Sequence, residues 1–182
     1  MQERQRGGRI REWMGFVGYV LILFLLAFLV IQFVGQRTRV NGMSMEPTLS
    51  NGDNLIIDKL SYRLHEPMRY DVIVFPYQYE DGKYYIKRII GLPGERIRID
   101  TEGRIYINGE VLEESYGKEM IEDPGRAENE ITLGADEYFV LGDNRNNSSD
   151  SRMEDVGTIH RKNIIGCAWF RIYPFDKIGR IH

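Results

Sequence analysis

The chain has 182 residues, 42% of them hydrophobic and 28% charged, with a formal net charge of −3. That allows one ordinary folded domain and gives no basic excess for holding nucleic acid. Cys167 is the only cysteine, which excludes an intrachain disulfide, and His65, His160 and His182 stand far apart without metal-ligand spacing, so neither a metal nor another cofactor is expected.

Residues 1–12 carry Arg4, Arg6, Arg9 and Arg11 against Glu3 and Glu12, a balance of +2 that leaves −5 on the rest of the chain. Residues 13–34, WMGFVGYVLILFLLAFLVIQFV, then run for 22 residues without a charge. As a helix they would extend ~33 Å, the thickness of a bilayer core. The alternatives are a cleaved leader, which has a shorter apolar stretch and a small-residue cleavage pattern, and a buried core helix. The run fits a retained anchor better. Arginine is in excess ahead of it, which places residues 1–12 in the cytoplasm, 13–34 in the membrane as a single span, and 35–182 outside.

Just beyond the span, NGMSMEPTL (41–49) sets Ser44 between two methionines, with no histidine near it in sequence to activate it. Short runs rich in β-branched and aromatic residues follow: NLIID, DVIVF, YYIKRII, RIRID, RIYING, EYFVLG and CAWFRIY. Bounded by Gly, Pro, Asn and Asp, they predict a mainly β domain, with tight turns at TEGR and NGE. Residues 113–130 are acidic and polar and read as a surface loop.

The run YYIKRIIGLPGE (84–95) carries a second candidate. On a strand Tyr85 and Lys87 face one way, Ile86 and Arg88 the other, so Lys87 stands among apolar and aromatic neighbours. Burial disfavours the charged amine and lowers its pKa. A desolvated lysine of this kind can take a proton from a serine hydroxyl, a Ser-Lys variant of the nucleophile-and-base pair. The plain alternatives are a structural serine and a lysine that reaches out to water. A third stretch, GDNRNNSSDSR (142–152), follows a predicted strand and reads by itself as a loop. Cys167, inside NIIGCAWFRIY, reads as a buried strand residue rather than a nucleophile.

Taken together and in this order, the apolar span, GMSMEPTL, RYDVIVF, YIKRIIGLPGE and GDNRNNSSDSR resemble the bacterial type I signal peptidases over nearly the whole chain. The resemblance implies a signal-peptidase-type β-fold and a membrane-anchored serine peptidase that works outside the membrane without histidine. Ser44 matches the nucleophile and Lys87 the general base. Ser148 matches a serine that orients the lysine amine, and Asp150 and Arg152 match a structural ion pair, with Arg145 and Arg88 nearby. Gram-negative members place a hydroxyl two residues before the nucleophile, where this chain has Gly42. The oxyanion is then left to backbone N–H groups, chiefly that of Ser44, and glycine here, a single anchor and no large inserted domain resemble the Gram-positive form.

By the same resemblance the substrate is the signal peptide of an exported preprotein, read at two small side chains by shallow pockets walled by Val40, Met45, Leu49, Leu55, Val74, Tyr85 and Ile86. Membrane lipid and the protein-export machinery are the expected surroundings, and nucleic acid is not a partner. Three alternatives stand beside this reading: a related Ser-Lys peptidase of narrower substrate range, a self-cleaving repressor-type peptidase, and a membrane-tethered β-domain without catalysis. The repressor type would need a DNA-binding helix pair where this chain has its apolar span.

Overall fold

Runs of β-branched and aromatic residues gain most from a pleated, half-buried surface, and the fold is accordingly mainly β. The computed structural model describes residues 13, 15–26 and 35–182. Residues 15–26 are helical and leave Phe16, Leu21 and Phe24 exposed. Among the described residues no helix is long and apolar enough to cross a membrane. The anchor expected over 13–34 lies in part, at 14 and 27–34, outside the described residues, as do residues 1–12.

The larger sheet takes the order β1 (Gly35–Arg39), β2 (Asn54–Asp58), β11 (Gly166–Tyr173), β3 (Val72–Pro76), β4 (Tyr84–Gly91), β9 (Glu137–Leu141), β10 (Ile159–His160), with β12 (Gly179–Arg180) paired to β11. A smaller sheet runs β7 (Glu110–Val111), β6 (Ile105–Ile107), β5 (Arg96–Ile99), β8 (Ile131–Thr132). Every pairing is antiparallel. The predicted NGE turn joins β6 to β7 with Asn108 and Gly109 both at positive φ, 54° and 90°, the conformation that suits the twist of a two-residue hairpin.

The smaller sheet is an excursion between β4 and β9, which pair directly with each other. Its isoleucines, Ile97, Ile99 and Ile105, pack on Ile90, Phe139 and Leu141 from the larger sheet. A second cluster joins Ile73, Ile89, Tyr138 and Val140 to Tyr62 of the short helix Ser61–Leu64. A third joins Met45, Leu49, Leu55, Val72, Val74 and Ala168 beneath the segment that carries Ser44.

Residues 113–130 correct the expectation of a plain surface loop. Ile121 and Ala127 are buried in the first cluster, and the Tyr116 ring lies 3.8 Å from the Arg88 guanidinium carbon. Most of the acidic side chains face out, Glu114 turns in to Arg145, and Ile121 and Ala127 pin the segment down.

Candidate active site

Residues 40–53 form a loop between β1 and β2, closed at its base by Val40 N–H to Asp53 O, 2.8 Å, and Gly52 N–H to Val40 O, 2.9 Å. Inside it, Glu46 N–H donates to Met43 O at 3.1 Å, so Ser44 rides on a tight turn. Gly42 has φ +113° with nothing near an added Cβ. Its backbone, rather than a lack of room, selects glycine, since side chains are strained in that region.

The strand alternation expected of β4 holds. Lys87 is 3% exposed and its Nζ lies 2.8 Å from Ser44 Oγ, 3.0 Å from Ile86 O and 5.0 Å from the centre of the Tyr85 ring. Burial lowers the amine pKa to about 8, against the opposing pull of Asp150 and Asp143. A fraction of neutral amine thus exists near neutrality, within reach of a hydroxyl proton.

Arg88, facing the other way, is fully buried, and a buried guanidinium needs a partner. It finds Asp143 in a two-pronged pair, Nε to Oδ1 at 2.8 Å and Nη2 to Oδ2 at 2.6 Å. Thr48 Oγ1 donates to the same carboxylate at 2.5 Å, and Arg171 Nη2 to Thr48 O at 2.7 Å. The far end of the Ser44 loop is thereby fixed to the strand that carries Lys87. Asp143 and Thr48 were missed as supports in the sequence reading. The available signal was the alternation itself, which turned an arginine inward and required an acid in one of the quoted stretches.

The loop after β9 closes on the turn from the other side. Asn144 N–H donates to Ser44 O at 3.0 Å and Asn144 Nδ2 to Met43 O at 3.1 Å. Gly142 permits this approach: a Cβ there would sit 2.5 Å from Ser44 O and 2.2 Å from Ser148 Oγ. The expected Asp150–Arg152 pair is present, Nε to Oδ1 at 2.8 Å and Nη2 to Oδ2 at 2.9 Å, and Asp150 Oδ2 accepts Gly142 N–H at 3.1 Å. Arg152 also donates to the carbonyls of Arg145 and Asp123, and Arg145 Nη2 lies 2.8 Å from Glu114.

Three expectations require correction. Ser148 Oγ is buried and makes no hydrogen bond, while the lysine amine bonds Ile86 O instead. Leu49 and Leu55, expected in the pocket walls, are fully buried in the core behind the loop, because their side chains point into the sheet interior. Val40, Met45, Val74, Tyr85 and Ile86 do line a groove of about 660 Å³ beside Ser44 and Lys87, and Ser149 joins them. The groove runs away from the serine between β1 and the β3–β4 hairpin. Cys167 lies partly buried on β11, its thiol pushed up to about 11 by burial, which leaves it a poor nucleophile.

A match to the family described as signal peptidase, peptidase S26, covers residues 10–173. The chain is 37% identical to a probable signal peptidase I-2 of Synechocystis sp. over 172 residues, 92% of this chain and 76% of that protein. It is 33% identical to signal peptidase I P of Bacillus subtilis subsp. natto over 184 residues, 97% of this chain and 96% of that one. A crystal structure of a signal peptidase I from Enterococcus faecalis V583 superposes with a TM-score of 0.47 at 32% identity, over 57% of this chain and 97% of the other.

Proposed function

The chain belongs to the signal peptidase family, peptidase S26, and on that footing we propose that this serine peptidase removes N-terminal signal peptides from exported preproteins with a Ser44–Lys87 dyad. The observation that carries the assignment is the lysine amine 2.8 Å from the serine hydroxyl, buried so that its pKa falls to about 8. Neither the loop 40–53 nor β4 contains a histidine to offer another base.

Neutral Lys87 takes the Ser44 proton as Oγ attacks the carbonyl of the −1 residue. The ammonium so formed returns that proton to the leaving amine, which departs as the mature N-terminus. Water then enters, gives a proton to Nζ and its oxygen to the acyl carbon, and Ser44 recovers its hydrogen as the signal peptide leaves. The substrate lies extended in the groove, with alternate side chains toward one wall. Val40, Met45, Val74, Tyr85 and Ile86 admit small residues at −1 and −3 and exclude large or charged ones.

Residues 13–34 anchor the enzyme as a single span in this reading, with 1–12 cytoplasmic and 35–182 as the catalytic domain outside, beside the export machinery and its membrane-held substrates. The uncharged run of 22 residues and the exposed apolar side chains of 15–26 support the anchor. Purified full-length protein and a preprotein test the whole reading. Wild type yields one mature N-terminus, while Ser44→Ala, Lys87→Ala and Lys87→Arg, whose guanidinium stays protonated, yield none. Wild-type turnover by any of the three refutes the dyad, and equal cleavage after Ala and Leu at −1 refutes the pocket assignment.

A further inference from the structure

We propose that Asn144 is a positioning residue that aims and polarises the backbone N–H of Ser44, the donor on which the oxyanion depends where position 42 is glycine. The inference rests on the Ser44–Lys87 reading and adds to it the part that holds the developing charge.

A peptide group is planar and trans, so the Met43 carbonyl and the Ser44 N–H point opposite ways in one plane. Whatever holds that carbonyl aims that N–H. Met43 O accepts two hydrogen bonds, from Asn144 Nδ2 and from Glu46 N–H, both at 3.1 Å. On the other side of the nucleophile, Ser44 O accepts Asn144 N–H at 3.0 Å. One residue, 5% exposed, thus grips the peptide groups before and after the serine. Its neighbour Asp143 is bound to Arg88, the residue after Lys87. The grip is therefore referenced to the strand that carries the base.

Two donors on Met43 O also draw electron density toward that oxygen, which makes the N–H of the same amide a stronger donor, as in any hydrogen-bonded chain. Among the described residues no acceptor takes the Ser44 N–H. It is available to a substrate oxygen in the groove that Ser44 lines. With φ +113° at Gly42, a hydroxyl-bearing side chain at that position would be strained. Tuning the backbone donor is the route left open.

The experiment compares a short ester substrate ending in Ala at −1 with its thiono analogue, in full-length protein on the high-pH plateau. Sulfur accepts hydrogen bonds poorly, so the oxo-to-thiono rate ratio reads the oxyanion donor and little else. Asn144→Ala should lower kcat for the oxo ester about 10- to 100-fold with KM little changed, and lower the rate ratio by a similar factor. Asn144→Leu keeps the volume without the Nδ2 donor and adds no charge, so it should behave alike and either variant suffices if the other fails to fold. The pH midpoint of Asn144→Ala should stay put, because Lys87 keeps both of its partners. Unchanged kcat, or a loss of kcat with the rate ratio intact, overturns the inference alone. Activity in Ser44→Ala overturns it together with the dyad.

Discussion

Replacing Lys87 by methionine should make the protein more stable while destroying its activity. The amine is 3% exposed and its pKa falls from 10.5 to about 8 on burial. Each pKa unit is worth about 1.4 kcal/mol, so below pH 8, where both folded and unfolded chains are protonated, the buried charge costs the folded state about 3 kcal/mol. As pH rises from 8 toward 10.5 the unfolded chain still binds the proton and the folded one does not. The penalty fades across that window and is gone above it. Methionine has similar length and no charge, but it gives up the bonds to Ser44 Oγ and Ile86 O, an offset of ~1 kcal/mol. The expected net gain is ~2 kcal/mol at pH 7, or roughly 4–8 °C in Tm for a chain of this size. Paired denaturation curves of detergent-solubilised wild type and Lys87→Met from pH 7 to 11 measure it, since other titrating groups cancel in the difference. A variant less stable than wild type at pH 7, or an advantage that does not shrink between pH 8 and 10.5, would refute the reasoning.

In a chemistry-limited assay kcat/KM should climb with pH through a midpoint of about 8, set by the lysine that burial holds low; a flat profile from pH 6 to 10 would exclude it as the base. Arg88→Met leaves Asp143 buried without its partner, both side chains being 0% exposed, so stability should drop by about 3–5 kcal/mol in urea titrations. A drop under 1 kcal/mol would mean the pair does not hold the two loops together. Ser148→Ala should leave stability unchanged or slightly raised, because its buried hydroxyl has no hydrogen-bond partner to lose; a loss above ~1 kcal/mol in the same titration would reveal a bond that the folded chain makes.

The long strands were legible because each is dense in β-branched, aromatic or other apolar residues. NLIID became Asn54–Asp58 and YYIKRII became Tyr84–Gly91 with hardly a shift at the edges. Gly35–Arg39 was missed because GQRTR has no apolar alternation and is a strand only through its pairing with Asn54–Asp58. The two-residue strands at 131–132 and 159–160 were invisible for the same reason. In the site, the inward turn of one face of β4 followed from period two alone. The partners across the sheet did not, since Asp143 meets Arg88 only after the chain has made its whole excursion through the smaller sheet. Ser148 shows the opposite limit. A motif fixes where a residue sits in the chain, while the direction of its hydroxyl depends on a rotamer and a neighbouring glycine.

That excursion has a bearing on how freely such an enzyme can change size. The chain leaves the larger sheet at Gly91 and re-enters it at Glu137, and β4 and β9 lie side by side through Arg88↔Leu141 and Gly91↔Phe139. Both edges of the detour are therefore sewn together independently of what lies between them. Closing a longer loop raises the entropic cost only as the logarithm of its length, about 0.6 kcal/mol per doubling. The hairpin tip at Asn108 and Gly109 is solvent-exposed, and it precedes Glu114 and Tyr116, the residues that touch Arg145 and Arg88. Extra chain entering at that tip can grow into a new lobe, a reporter or a recruitment module while the serine and the lysine stay in register.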